Sequence, residues 1–180
     1  EKGFITKLKI VNKSSNNLLI LNGECILGTK IRQNRIVDST VLIPGYATVL
    51  INTFCGERYR WSPKLSNDIS VSESLYSSKG RANFSDNDTK LSKQYKIWSE
   101  IENKLSELKA KSFTFSVEEI YKKRKNNVEE IVNFFRSEKS QHVGVALGIN
   151  NCLVSLDIFS NNYMLQVYLP RLIRSVALDS

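Results

Sequence analysis

Cysteine and histidine are scarce in this chain. Its 180 residues hold three cysteines, Cys25, Cys55 and Cys152, and one histidine, His142. The cysteines are far apart and form no CxxC, so neither a disulfide framework nor a standard zinc set is expected, and no metal ligands are assigned. Long apolar runs are missing as well. None approaches the roughly 18–20 residues that cross a bilayer, so no membrane association is expected. No secretory signal precedes the fold, and the cysteine usage fits a reducing compartment; the expected location is cytoplasmic. G-x-S-x-G, the P-loop and G-x-G-x-x-G are also absent, which removes the common hydrolase, NTPase and dinucleotide-fold signatures. Starting at Glu1 rather than Met fits a trimmed or fragmentary version of something longer.

What remains is ordinary globular material. Hydrophobic residues make up 41% and charged residues 24%, and the length suits a single α+β domain over residues 1–180. Twenty-six Lys and Arg against eighteen Asp and Glu leave a net charge of +8. Such an excess attracts nucleic acid, nucleotides and other anions, and is equally met on a well-solvated surface with no specific partner.

The first half reads as antiparallel β meander, one layer of a sandwich or open barrel. Phe4 to Val11 is rich in β-branched residues. Leu18 to Leu21 ends at the turn signal Asn22-Gly23, with Glu24 to Leu27 as its hairpin partner. Arg35 to Ile43, the Pro44-Gly45 turn and Tyr46 to Phe54 follow. From Ser62 to Lys90 Ser, Asn and Asp dominate, and a polar loop or lid is expected at about 62–90. Two central helices come next. Leu91 to Lys109 presents Tyr95, Trp98, Ile101, Leu105 and Leu108 on one face; Ser116 and Glu119 form a capping box opening a helix to about Ser137. That second helix carries the basic run Lys122-Lys123-Arg124-Lys125, a pattern usually found on solvated faces. A β-hairpin turns at Asn150-Asn151, and a C-terminal helix runs from about Asn161, capped by Ser160, with Pro170 expected to kink or break it.

Polar residues concentrate in two places in the β half. Gly28 to Arg35 gathers Lys30, Arg32, Gln33, Asn34 and Arg35. Arginine offers a planar fork for phosphate or carboxylate, lysine a point charge, and the two amides both donate and accept. Glu24 stands nearby in sequence, as an acid or base or as a counter-ion. The second concentration follows the strongest expected strand: Cys55, Glu57, Arg58, Arg60 and Trp61. Cations beside a cysteine stabilise its thiolate, which makes Cys55 a candidate nucleophile, although free cysteine is more often small core filler. Glu57 is a candidate acid or base, or the partner of Arg60 in a salt bridge fixing a turn. Trp61 is placed to stack on a ring or simply to pack. His142 has no carboxylate or nucleophile beside it in sequence and reads as structural.

At these residues the chain resembles the ARG and rhodanese-phosphatase-superfamily-associated protein domain. The family's recurrent features are G-E-x-L-x-G, then K-Q-N-R, then C-x-E-x-x-R-W after a strand. Gly23-Glu24-Cys25-Ile26-Leu27-Gly28 looks like the first, and Lys30 with Gln33-Asn34-Arg35 like the second, with Ile31 and Arg32 intervening. Cys55-Gly56-Glu57-Arg58-Tyr59-Arg60-Trp61 looks like the third. The likeness continues at Gln94 to Trp98, Val143-Gly144, Asp157-Ile158-Phe159 and Ala177-Leu178-Asp179. The family's usual N-terminal segment is not found before Glu1. The family name records an association with ADP-ribosylglycohydrolases and phosphatases, so the resemblance implies a role around NAD or ADP-ribose metabolism.

The leading expectation is a small-molecule pocket for a nucleotide or ADP-ribose-like phosphate ligand. Lys30, Arg35 and Arg60 would hold phosphate, Gln33 and Asn34 would orient it, Trp61 would stack, and Glu24, Glu57 or Cys55 would act in any catalysis. The alternatives are a basic module binding RNA or DNA, and a structural or partner-binding domain in which both polar clusters merely hold loops.

Overall fold

The computed structural model describes residues 6–28, 33–60, 69–85, 87–136 and 141–179. Its frame is a five-stranded antiparallel sheet, in the order β1 (Lys7–Val11), β6 (Thr48–Cys55), β4 (Arg35–Val37), β3 (Glu24–Gly28), β7 (Ile69–Leu75). β2 (Leu18–Ile20) and β5 (Val41–Ile43) pair separately as a two-stranded ladder. The fold is the expected α+β mixture: strands first, then α1 (Ser78–Ala82), α2 (Lys90–Glu107), α3 (Val117–Arg136), a β8–β9 hairpin (Gly144–Ile149, Cys152–Ile158) and α4 (Asn162–Ala177).

The central strand shows how the sheet is buried. Ile36 and Val37 are adjacent in β4, so they point to opposite faces, yet neither has any exposed surface. Ile36 enters the large core with Phe54, Leu75, Ile97, Ile101, Val132 and Leu172, beneath the helices. Val37 enters a smaller core with Ile26, Ile43 and Ile51, closed by Ile20 and Val41 of the β2–β5 ladder. Both faces are therefore covered, by helices on one side and strands on the other.

Several local expectations change once the chain is folded. The Arg35 to Ile43 stretch is two strands, and Leu18 to Leu21 does not pair with Glu24 to Leu27; β2 pairs with β5 and β3 with β4 and β7. Gly23 has φ +80°, and a Cβ there would lie 2.3 Å from the Arg81 Cδ, so the turn carries the chain between layers rather than closing a hairpin. Over the described part of the expected polar lid, residues 69–75 form edge strand β7 and 78–85 form α1 and a short 3-10 turn; residues 62–68 and 86 lie outside the described residues. In β7 the alternation of Ile69, Val71 and Glu73 with Ser70, Ser72 and Ser74 is a serine-rich strand pattern easily read as loop. Ser72 and Ser74 are buried.

The helices bury the residues their spacing selects. α2 buries Ile97, Trp98, Ile101 and Leu105, whereas Tyr95 stays 52% exposed, edge-on to Trp98. Ser116 caps α3 through its hydroxyl, which accepts from the Glu118 N–H at 3.3 Å, while Glu119 binds Lys122 at 2.8 Å instead of closing a capping box. Asn161, rather than Ser160, caps α4, accepting from the Met164 N–H at 2.9 Å, and the helix continues through Pro170. Asn150 and Asn151 both have positive φ, 49° and 63°, the two-residue geometry that suits a hairpin's twist. Among the described residues no helix is long and apolar enough to cross a membrane.

Candidate functional site

Strand order alone brings the two polar stretches together. Gly28 ends β3, Arg35 begins β4 and Cys55 ends β6, with Arg35 in register with both Ile26 and Cys55. Both segments therefore leave the sheet from one end, where a rigid base holds them.

Glu57 is the centre of that end. It has no exposed surface, so its oxygens must find partners inside the protein. The Asn34 N–H donates to Oε2 at 2.9 Å, the Thr114 hydroxyl donates to Oε1 at 2.9 Å, and the Arg60 guanidinium lies 3.2 Å from Oε1. The Gln33 amide donates to the Glu57 carbonyl at 2.9 Å. Asn34 uses its own amide in two directions, accepting from the Gly28 N–H and donating to the Ser116 hydroxyl, both at 2.9 Å. Gln33, Asn34 and Glu57 thus tie β3, β4, the turn after β6 and the start of α3 into one network. Gly56 completes it: a Cβ there would crowd Val117 and Ile36 at 3.2 and 3.3 Å.

Arg60 and Arg35 sit differently. Arg60 is clamped between Glu57 and the Gly28 carbonyl, 3.2 Å from Nη1, while 32% of its side chain faces solvent. Arg35 is half-buried and donates to the Cys55 sulfur at 2.8 Å. The Cys55 main chain is held at both its N–H and its carbonyl by the Gln94 amide, at 2.7 and 3.0 Å. Burial pushes the Cys55 thiol above its ordinary value, and the Arg35 guanidinium only partly opposes it. Cys55 is consequently a thiol at neutral pH, its sulfur accepting from Arg35. A maleimide applied to the folded chain is expected to label exposed Cys152 and to spare buried Cys25 and Cys55 until the chain unfolds, as counted by mass spectrometry. Fast labelling of Cys55 in the folded chain would mark it as a reactive nucleophile instead.

Glu24 lies elsewhere. It starts β3, at the opposite end of the strand from Gly28, and both of its oxygens take the fork of Arg171 from α4. Arg171 also donates to the Ser72 carbonyl at 3.2 Å. One helical turn on, Arg174 makes a second fork with Glu129, at 2.7 and 2.9 Å. These arginines and Thr114 have no neighbouring motif that marks them, and the motifs at Ser116 and Gln94 point to a helix cap and a family likeness rather than to this site. These side chains reach their partners across 39 to 147 residues of sequence. Lys30 and Trp61 lie outside the described residues.

The model of the ARG and Rhodanese-Phosphatase-superfamily-associated Protein domain matches residues 1–180 of this chain. The chain belongs to that family. Comparison with curated proteins and with solved structures finds no match. In this member of the family, the segments that carry the resemblance, Gln33 to Arg35 and Cys55 to Arg60, are the ones that interlock around Glu57.

Proposed function

We propose that this end of the sheet is a binding site for a small phosphate-bearing ligand, of the nucleotide or ADP-ribose class. The observation that carries the reading is Arg60, anchored on one side by a wholly buried carboxylate and a main-chain carbonyl while a third of its side chain faces solvent. A guanidinium fixed in that way presents donors without losing rotamer freedom on binding. Arg35 supplies a second guanidinium on the neighbouring strand, in register with Cys55. Gln33, Asn34 and Glu57 act as the frame that positions these cations. The reading is of a binding domain, and it asks no chemistry of Cys55 or Glu24.

Thermal melts and calorimetric titrations with ADP-ribose, NAD, ADP and inorganic phosphate test it. At 100-fold excess over the dissociation constant a ligand adds about 2.7 kcal/mol, which raises the melting temperature of a chain this size by roughly 5–10 °C. Arg60→Ala and Arg35→Ala are expected to abolish the shift while still unfolding cooperatively, Arg60→Ala at a lower temperature because Glu57 loses its cation. Absence of binding by all four, or undiminished binding in both variants, overturns the reading in favour of a partner-binding domain. That alternative draws on the internal satisfaction of Gln33, Asn34 and Glu57. Nucleic-acid binding has weaker support, because Lys122, Arg124 and Lys125 of the basic run are engaged by Glu119, the Ala177 carbonyl and Glu73.

A further inference from the structure

A separate cleft lies between α1, the β4–β5 connection and β9, in two compartments that share Asn22, Thr40 and Asp157 as a common wall. The larger, of about 520 Å³, is bounded by Arg81 of α1, Asp38, Ser39 and Ser155, with Phe84 and Leu156 as its apolar surface. The smaller, of about 290 Å³, is lined mainly by Leu19, Leu21, Phe159 and Met164. Arg81 is the feature that sets this cleft apart. It is 7% exposed, yet among the described residues its guanidinium makes one hydrogen bond, to the Ser175 hydroxyl at 3.3 Å. Nε has no partner, and Nη1 stops 3.6 Å from Asp157, beyond the roughly 2.7–2.9 Å of a charge-assisted hydrogen bond. The other oxygen of Asp157 accepts from the Ser155 hydroxyl, which holds the carboxylate where it is. A buried guanidinium with so few bonds is costly, and an oxygen entering from the cleft relieves that cost.

The lining selects the kind of oxygen. Charges cancel in pairs: Arg81 faces Asp157, and Asp38 faces Lys90 at 3.8 Å, so neither an anion nor a cation is drawn in by excess charge. Among the described residues no group of three or more His, Cys, Asp or Glu is placed to hold a metal ion. A hydroxyl fits, because it accepts from Nη1 and donates to the Asp157 carboxylate at once, closing the gap between them. Nearby, the Asn22 amide and the Ser39 hydroxyl make no side-chain hydrogen bond among the described residues, and each both donates and accepts. We propose that the cleft binds a neutral glycoside, a sugar ring carrying an apolar or aromatic aglycone. The sugar hydroxyls bridge Arg81 to Asp157 and meet Asn22 and Ser39, its C–H face lies against Phe84 and Leu156, and the aglycone fills the compartment of Leu19, Leu21 and Met164. None of these residues belongs to the sheet-end site, and the two proposals stand or fall separately.

Calorimetric titration of the purified chain with phenyl β-D-glucoside, phenyl β-D-galactoside and phenyl β-D-riboside, each beside its methyl counterpart, and with phenol and inorganic phosphate, tests this. A phenyl glycoside is expected to bind saturably in the millimolar range, at least about tenfold tighter than its methyl counterpart, as burial of the ring requires. Asn22→Ala is expected to weaken it by about tenfold while melting like the wild type, because that amide bonds nothing within the described chain. Asp157→Asn is expected to weaken it by at least as much, read below that variant's own transition because Arg81 loses its counter-charge. Arg60→Ala, folded, is expected to bind the glycoside as the wild type does. Methyl NMR shifts of Leu19, Leu21, Leu156 and Met164 in the wild-type chain report both compartments without any substitution. No saturation by any of these glycosides overturns the proposal, as does binding that both cleft substitutions leave unchanged or that leaves those methyls unmoved. Phenol binding as tightly as its glycosides overturns the sugar assignment, and phosphate that shifts the Leu156 methyls overturns the neutral one.

Discussion

Replacing Glu57 with alanine is expected to destabilise the chain by about 3–5 kcal/mol, the usual cost of removing one partner from a buried charged pair. The reason is what stays behind. The Asn34 N–H, the Thr114 hydroxyl and the inner side of the Arg60 guanidinium would all lose their acceptor in a place with no exposed surface. At this chain length the melting temperature should fall by roughly 10 °C or more, read by circular dichroism. Glu57→Gln keeps the shape and one acceptor oxygen, so a smaller loss is expected. An alanine variant that melts like the wild type would mean the network is dispensable and the sheet end is held by packing alone. Arg60→Ala also leaves the buried Glu57 carboxylate without its cation, but the Asn34 N–H and the Thr114 hydroxyl still hold it, so a smaller loss than that of Glu57→Ala is expected. Ligand binding by Arg60→Ala is therefore read well below that variant's own melting transition, where the chain is folded.

Arg171→Ala is the second substitution with a large expected effect, again about 3–5 kcal/mol. Glu24 is 5% exposed, and both of its oxygens rest on the Arg171 fork. Without that fork a carboxylate sits buried beside Cys25, whose own thiol is pushed strongly upward, by burial first and then by the charges of Glu118 and Glu24. The double substitution Glu24→Leu with Arg171→Met should recover most of the loss, because apolar groups of similar size need no counter-charge. Denaturant titrations of the two single variants and the double variant give the coupling energy, expected at about 2 kcal/mol or more for so close a pair. Additive losses would show that Glu24 and Arg171 do not depend on each other, contrary to the geometry.

Glu24 and Glu57 show where sequence reading reaches and where it stops. Both stood in polar clusters beside cations, and both are ion-paired acids in the structure. The partner of Glu57, Arg60, is three residues away and was legible as a turn-fixing salt bridge. The partner of Glu24 is 147 residues away, on a helix whose apolar stripe gave no hint of which strand it would cover. Within the stretch expected as a lid, residues 69–75 are a strand instead, for a related reason. Ser72 and Ser74 read as loop chemistry, but β3 offered an open edge, and β7 pairs with it while Ser72 bonds Glu118 at 2.9 Å and Ser74 the Leu75 carbonyl at 2.7 Å. Edge pairing and side-chain hydrogen bonds overrode the weak strand propensity of serine.

By itself the sequence determined the α+β class, the helices α2, α3 and α4, the Asn150-Asn151 hairpin and the membership of its motifs in one family, because those follow from period, turn chemistry and local spacing. The tertiary structure decided which strands are neighbours, and through that everything about the site. Placing β4 between β6 and β3 set Gln33, Asn34 and Arg35 against Cys55, Glu57 and Arg60, and it left Glu24 at the far end for Arg171. Strand order is fixed by which faces bury together, a property of the whole chain that no window along it contains.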